Sequence, residues 1–410
     1  MGRRDEVLRR QSARTKFKNS DMDFAFNWTL GVSQIIGMSP GEVLAAVSTT
    51  KDGDPRSWRD SFYSQGEYLS RRANDFEREG NLRAAGHSAF GAAYGRRFAL
   101  HFEDPTLPAW GSTVVGMEQE FARAATLWEV PIRPVEVPFE HGTLPGYYLE
   151  VDDHPRPTVL MIGGGDTFRE DLFYYGGYPG GQRGYNVLMV DLPGQGNTPA
   201  AGFTFRHDSS TSISACIDWL EQHATAPDPR IAAYGLSGGG YFTAQAVCAD
   251  PRITAWIAST PITNMALLFR REMGAALRAP GWLLNTLTKA LGRANAILDI
   301  SLKKYAWQFG TSDFAEAIAR VQTEAPTVPP ETITCPSLFL MGDGEATELR
   351  RQTEELTTVI QRGGHDVTIR RFTREEGDAH CQVTNLELAH LVVFDWLDHL
   401  FDNSTTGRLV

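Results

Sequence analysis

From Thr158 onward the chain is written as short apolar runs separated by helical segments, and this alternation restricts the fold more than any other feature. The runs are Thr158–Ile162, Tyr185–Leu192, Arg230–Tyr234, Ile253–Ser259, Ser337–Met341 and Val367–Phe372. Each has strand length, and most are apolar throughout, as a strand covered on both faces must be. Helical segments fall near 209–224, 239–249, 346–362 and 382–401. Strands that alternate with helices predict an α/β fold, a mostly parallel sheet with helices on both faces. Ahead of them, Ile132–Phe139 and Thr143–Val151 alternate apolar and polar residues around His141-Gly142, which predicts a β-hairpin. Residues 262–332 break the rhythm. They contain no strand-like run but show helical spacing over Met265–Leu277, Trp282–Leu291, Ala296–Phe309 and Phe314–Gln322. They are expected to form a helical cap inserted between two strands.

Residues 1–130 have a different texture. Ser39-Pro40-Gly41-Glu42 is a capping box with proline at the first helical position, and Asp54-Pro55 opens a second helix in the same way. Trp58, Phe62, Leu69, Ala73 and Phe76 then follow at helical spacing until Gly80-Asn81. A third helix runs to about Phe102 and a fourth from about Val114 to Trp128. The expected organisation is an N-terminal helical domain over 1–130 and an α/β domain over 131–402 that carries the 262–332 cap. The helical parts are expected to roof the cleft.

Composition narrows the function. With 42% apolar and 22% charged residues in 410, the chain can bury a large core and is neither disordered nor fibrous. Its net charge is 39 − 50 = −11. An acidic surface repels phosphate backbones, so nucleic acid is not an expected partner. The basic run Arg3–Lys18 reads as a solvated N-terminal arm. Cys216, Cys248, Cys335 and Cys381 form no CxxC pair, so free thiols in a reducing cytoplasm are expected. No apolar segment follows the charged start, and no apolar run approaches a membrane span. The expected setting is cytoplasmic, with a small-molecule substrate and no membrane partner; a homodimer is left open.

The chemistry centres on Gly235-Leu236-Ser237-Gly238-Gly239. This G-x-S-x-G follows the strand Arg230–Tyr234 and opens a helix, the strand–turn–helix context in which a sharp turn exposes a serine hydroxyl. Ser237 is the expected nucleophile, and a hydroxyl needs a general base near neutral pH. Of ten histidines, His380 alone lies in the loop after the last strand, where this arrangement places the base. His390 and His399 fall inside the last helix and read as packing or surface residues. The acid that orients the histidine should come from Gly342-Asp343-Gly344-Glu345, after the strand before. Glu345 has the expected spacing from the glycine, and Asp343 is the alternative. The oxyanion hole needs backbone N–H groups from Gly238 and from Gly163-Gly164-Gly165-Asp166. Gly165 and Asp166 are the expected donors there. Asp191-Leu-Pro-Gly-Gln-Gly196 reads as a structural turn. No Walker A, G-x-G-x-x-G or HExxH sequence is present, so no cofactor and no metal are expected.

With these pieces placed, the chain resembles the α/β-hydrolase superfamily. More narrowly, it resembles the branch with an N-terminal helical domain that includes 2,6-dihydroxypseudooxynicotine hydrolase and the fungal hydrolases that shorten polyketide chains. The resemblance rests on Val135-Glu-Val-Pro-Phe139 with Leu144-Pro-Gly146, Gly164-Gly-Asp166, Asp191-Leu-Pro-Gly-Gln-Gly196, Gly235-Leu-Ser-Gly-Gly239 and Glu376-Gly-Asp-Ala-His-Cys-Gln382. It implies a serine hydrolase of secondary metabolism. The expected substrate is an ester or an activated, β-diketone-like C–C bond of a small hydrophobic or aromatic, polyketide-like metabolite. Phe168 and Tyr241 are expected to line the substrate site. In that branch C–C cleavage involves an extra carboxylate in the cap, for which Glu272 is the candidate here. Two other readings keep the same scaffold: acyl transfer, elimination or cyclisation on the same triad, and a non-catalytic binding protein.

Overall fold

Central strands bury both faces and edge strands bury one, and the burial pattern orders the sheet. The computed structural model of the protein describes residues 9–403, without the side chains of Glu272, Ala275 and Arg278. The strands are β1 Ile132–Phe139, β2 Gly142–Leu149, β3 Thr158–Ile162, β4 Asn186–Val190, β5 Ile231–Leu236, β6 Ile253–Ser259, β7 Ser337–Gly342 and β8 Val367–Phe372. They form an eight-stranded sheet in the order β1-β2-β4-β3-β5-β6-β7-β8. In β3, β4, β5 and β7 every residue is buried. These are the unbroken apolar runs, and β3 pairs in parallel with both β4 and β5. β1 alternates buried and exposed residues along most of its length, as an edge strand with one solvated face does. The hairpin β1–β2 joins the sheet antiparallel to β4. The fold is an α/β sheet, mostly parallel, with helices.

The order of the strands decides where a site can open. From β3 the chain moves outward to β4, then returns to β5 on the other side of β3. The loops leaving the carboxyl ends of β3 and β5 therefore diverge from neighbouring strands, with Ile162 in register with Gly235. Such a switch point is where an open parallel sheet leaves a crevice.

The chain divides into two compact units. The described part of the first is residues 9–12, 132–278 and 318–403, which hold the sheet. The second is Ala13–Pro131 with Ala279–Ala317, so the middle of the 262–332 insertion groups with the N-terminal helices. In the insertion the helices are Met265–Met273, Gly281–Ala294, Ala296–Phe309 and Phe314–Glu324.

The helical unit is built around Trp58, Phe62 and Phe98, all buried. The Trp58 indole N–H donates to Phe98 O at 2.7 Å, which satisfies its polar end inside the core. The Ser39 capping box and the Asp54 cap start the helices Pro40–Ser48 and Pro55–Arg78. One helix begins at Pro108 rather than near Val114, with proline at its first position. Ser20–Val32 is a further helix that the apolar spacing did not reveal, because Asp23 and Asn27 are buried in it along with the apolar residues. The Asp23 carboxylate accepts the backbone N–H groups of Thr15, Lys16 and Phe17. The backbone of those residues is therefore anchored, which a free arm would not be, while the side chains of Arg14, Lys16 and Lys18 are exposed, as a solvated run requires. Residues 3–8 of that run lie outside the described residues.

Candidate active site

Ser237 sits between β5 and the helix Gly239–Ala249 with φ +54°, a left-handed conformation that a non-glycine residue adopts only at a cost. The close approaches around it explain the glycines. A Cβ on Gly235 would lie 2.3 Å from Gly239 O, and one on Gly239 would lie 2.3 Å from Ile162 O. The turn is held from below, because Ser237 N donates to Ser259 O at 2.6 Å.

Three side chains from separate loops meet in a line. Ser237 Oγ lies 2.9 Å from His380 Nε2, and His380 Nδ1 lies 2.5 Å from Glu345 Oε1. A carboxylate can only accept, so Nδ1 carries the proton that points to Glu345, and Nε2 accepts from the serine hydroxyl. Glu345 is fully buried. Its Oε1 also accepts from Thr260 Oγ1 at 2.5 Å, and its Oε2 accepts from Gly342 N at 3.0 Å. Three donors around a buried carboxylate offset the cost of taking its charge out of water.

Asp343 does not join this line. Its Oδ1 accepts from Arg371 at 2.8 Å, and both side chains are partly solvated, at 34% and 55% exposure. Glu345, which the spacing favours, is the buried acid beside His380, and the alternative Asp343 is the partly solvated one.

Burial disfavours a charged imidazole, but the neighbouring Cys381 and the Glu345 carboxylate outweigh it, and His380 has a pKa raised above its ordinary value. The loop that carries His380 is anchored by the next two residues. Cys381 Sγ lies 3.1 Å from Ser259 O, and Ser259 Oγ donates to Gln382 Oε1 at 2.6 Å. Ser259, at the end of β6, therefore ties the serine turn and the histidine loop to one strand terminus. Thr260 and Ser259 carry no motif, and Gln382 ends the Glu376–Gln382 run without any hint of its partner. Only the strand order brings the three together beneath the site.

The loop after β3 lies against the serine turn. A Cβ on Gly164 would sit 2.7 Å from Ser237 Cβ and 3.0 Å from Gly238 N, so only glycine permits this approach. Gly238, Gly165 and Asp166, the expected oxyanion donors, all belong to these two facing segments.

The segment Arg9–Ser12 runs along the same loops. Arg9 Nε donates to Gly344 O at 3.0 Å, and its Nη2 to Asp343 O at 3.3 Å. His380 N donates to Arg10 O at 2.7 Å, and Ser12 N to Asp378 Oδ1 at 3.2 Å. Arg10 lies 3.8 Å from the Asp166 carboxylate. These bonds join the loops after β3, β7 and β8. Deleting residues 2–12 is expected to lower kcat on the order of 10-fold, since small displacements of catalytic groups are costly. Deleting only residues 2–8 keeps Arg9–Ser12 and should not. Equal kcat for the two deletions would show that these bonds do not hold the site.

The remaining expected site residues fall as follows. Tyr241 is buried and its hydroxyl donates to Pro326 O at 2.7 Å, so its polar end is committed within the fold. Phe168 is buried at the start of the short helix Arg169–Leu172. The side chain of Glu272 lies outside the described residues. His390 is buried in the last helix, and burial pushes its pKa down to about 4, which fits a neutral packing residue. Among the described residues no group of three or more His, Cys, Asp or Glu could hold a metal ion, and no helix is long and apolar enough to cross a membrane.

The model of the alpha/beta hydrolase family matches residues 159–398, more than half of the chain. The chain belongs to the alpha/beta hydrolase family. As a member, this alpha/beta hydrolase is an enzyme of the hydrolase class. It is 27% identical to the hydrolase LUC6 of a Fusarium species, over 94% of this chain and 97% of that one. It is 30% identical to the 20-hydroxy-prefusarin hydrolase FUS2 of Gibberella moniliformis, again over 94% and 97%. Its fold is shared with 2,6-dihydroxy-pseudo-oxynicotine hydrolase, at a TM-score of 0.69 and 19% identity over 93% of this chain and 97% of that one. The alpha/beta hydrolase thus sits in the branch with an N-terminal helical region, among fungal hydrolases.

Proposed function

We propose that this alpha/beta hydrolase works as a serine hydrolase through Ser237, His380 and Glu345. Its substrate would be an ester or an activated C–C bond of a small hydrophobic or aromatic metabolite. The observation that carries the proposal is the unbroken line Ser237 Oγ–His380 Nε2 and His380 Nδ1–Glu345 Oε1, at 2.9 and 2.5 Å. In this reading Ser237 Oγ attacks a carbonyl carbon while His380 Nε2 takes its proton. Glu345 holds the tautomer and stabilises the imidazolium. The oxyanion accepts from N–H groups of Gly238 and the Gly163–Asp166 loop. When the tetrahedral carbon collapses, His380 returns the proton to the leaving group, which departs as an alcohol from an ester or as a ketone from a β-diketone. Water then gives a proton to His380, attacks the acyl-enzyme and releases a carboxylic acid. A metabolite is supported by FUS2, which is named for one compound, 20-hydroxy-prefusarin, rather than for a peptide or a nucleic acid.

A fluorophosphonate probe tests the nucleophile without knowledge of the substrate, because it reacts with an activated serine and not with an idle one. One label per chain is expected, on the peptide that contains Ser237, and none on Ser237→Ala. Folded protein that stays unlabelled would remove the proposal. A parallel screen of p-nitrophenyl esters against β-diketones then separates ester from C–C cleavage.

A further inference from the structure

Gln195 lies in the turn after β4 and is completely buried, at 0% exposure. A buried amide is costly unless its hydrogen bonds are made. Here they are spent in a particular direction. Oε1 accepts from Leu192 N at 2.8 Å, which fixes the orientation of the amide. Nε2 donates to Gly163 O and, at 3.3 Å, to Gly164 O. The backbone of Gln195 is locked as well, since its carbonyl accepts from Thr198 N at 3.0 Å and from Thr198 Oγ1 at 2.7 Å.

The two acceptors are consecutive carbonyls of the loop that faces the nucleophile. In a trans peptide unit the N–H points opposite to the C=O. Holding the Gly164 carbonyl on the Gln195 side therefore aims the Gly165 N–H away from Gln195. The serine turn lies against this loop: a Cβ on Gly238 would be 3.6 Å from both Gly164 Cα and Gly165 N. We propose that Gln195 is a positioning residue, a brace from the turn after β4 that turns the amides of the Gly163–Asp166 loop toward the oxyanion formed on Ser237.

This inference rests on Ser237 being the nucleophile. Gln195 touches neither substrate nor reacting atoms and acts through the loop. The residue type follows from the task. One rigid plane must offer an acceptor to Leu192 and a donor to Gly163 and Gly164. Asparagine is one methylene too short, glutamate has no donor when ionised, and methionine fills the space without hydrogen bonds.

The test uses full-length Gln195→Met, Gln195→Glu and Gln195→Asn. Three quantities report on the oxyanion site: kcat on a p-nitrophenyl ester, the rate constant for fluorophosphonate inactivation, and the affinity of an aryl trifluoromethyl ketone, whose serine adduct carries an oxyanion. All three should fall about 10- to 10²-fold, less than or at the lower end of the loss from removing an oxyanion donor itself. KM and the acid limb of the pH profile, which reports His380, should stay at wild-type values. A purely structural role would lower the thermal midpoint but leave inactivation rate and ketone affinity per folded molecule unchanged, and that result overturns the inference. Asparagine is the mildest change and covers the case in which the other two do not fold. If the wild type itself is not labelled at Ser237, the nucleophile reading falls and this inference with it. If the wild type is labelled and the Gln195 variants react as fast, only this inference falls.

Discussion

Replacing Ser237 with alanine is expected to lower kcat on the order of 10³-fold or more on the true substrate while the protein stays folded. The loss is large because no other group stands where the serine hydroxyl does, 2.9 Å from His380 Nε2. The fold should survive because the bond that holds the turn comes from Ser237 N to Ser259 O, and alanine keeps it. The strain of φ +54° is also common to both residues. Circular dichroism and thermal unfolding check the fold, and single-turnover kinetics check the chemistry. A variant that keeps more than a tenth of wild-type turnover would show that Ser237 is not the nucleophile. An elimination that needs only the base His380 would leave that signature.

Much of this architecture is legible in the linear chain, for a physical reason. A strand buried on both faces has no alternative to an unbroken apolar run, so β3, β4, β5 and β7 announce themselves. The serine turn is equally explicit, because the approaches at Gly235 and Gly239 exclude any side chain. What stays hidden depends on where strands lie next to each other. Thr260 reaches Glu345 across 85 residues of chain, and Ser259 reaches Gln382 across 123. Gln195 belongs to the Asp191–Gly196 turn, but its part in it does not show until the loop after β3 is placed beside it. Arg9 and Arg10 look like solvated charges, since a positive run on a chain of net charge −11 gives no hint that its backbone and guanidinium groups meet the ends of β3, β7 and β8. The helix Ser20–Val32 escapes for the opposite reason. Its buried face includes Asp23 and Asn27, which blur the apolar period.

Exchange of Glu345 for glutamine is expected to cost about 10²- to 10⁴-fold in kcat, against a change within about 5-fold for Asp343→Asn. The contrast follows from what each carboxylate touches. Glu345 is fully buried and lies 2.5 Å from His380 Nδ1, so its charge falls directly on the imidazolium that forms during attack. A glutamine there can present an N–H instead of an oxygen, which turns the histidine to the wrong tautomer. Asp343 pairs with a half-solvated Arg371, and such surface pairs contribute little. The two variants also differ in pH dependence. The base works only when neutral, so activity falls as pH drops through the His380 pKa, and because that pKa is raised, the acid limb of kcat/KM should lie above the ordinary value of 6.5. Glu345 is one of the groups that raise it, so Glu345→Gln should move the acid limb to lower pH even as it lowers the plateau, while Asp343→Asn leaves the limb in place. Both readings come from one set of kcat/KM measurements between about pH 5 and 10, a window that spans the ordinary histidine range and the raised one. A larger loss and a shifted limb at Asp343 would transfer the orienting role to that residue. Equal, mild effects at both positions with an unmoved limb would mean that no carboxylate on this loop sets the charge of His380, and the serine would then have to be activated some other way.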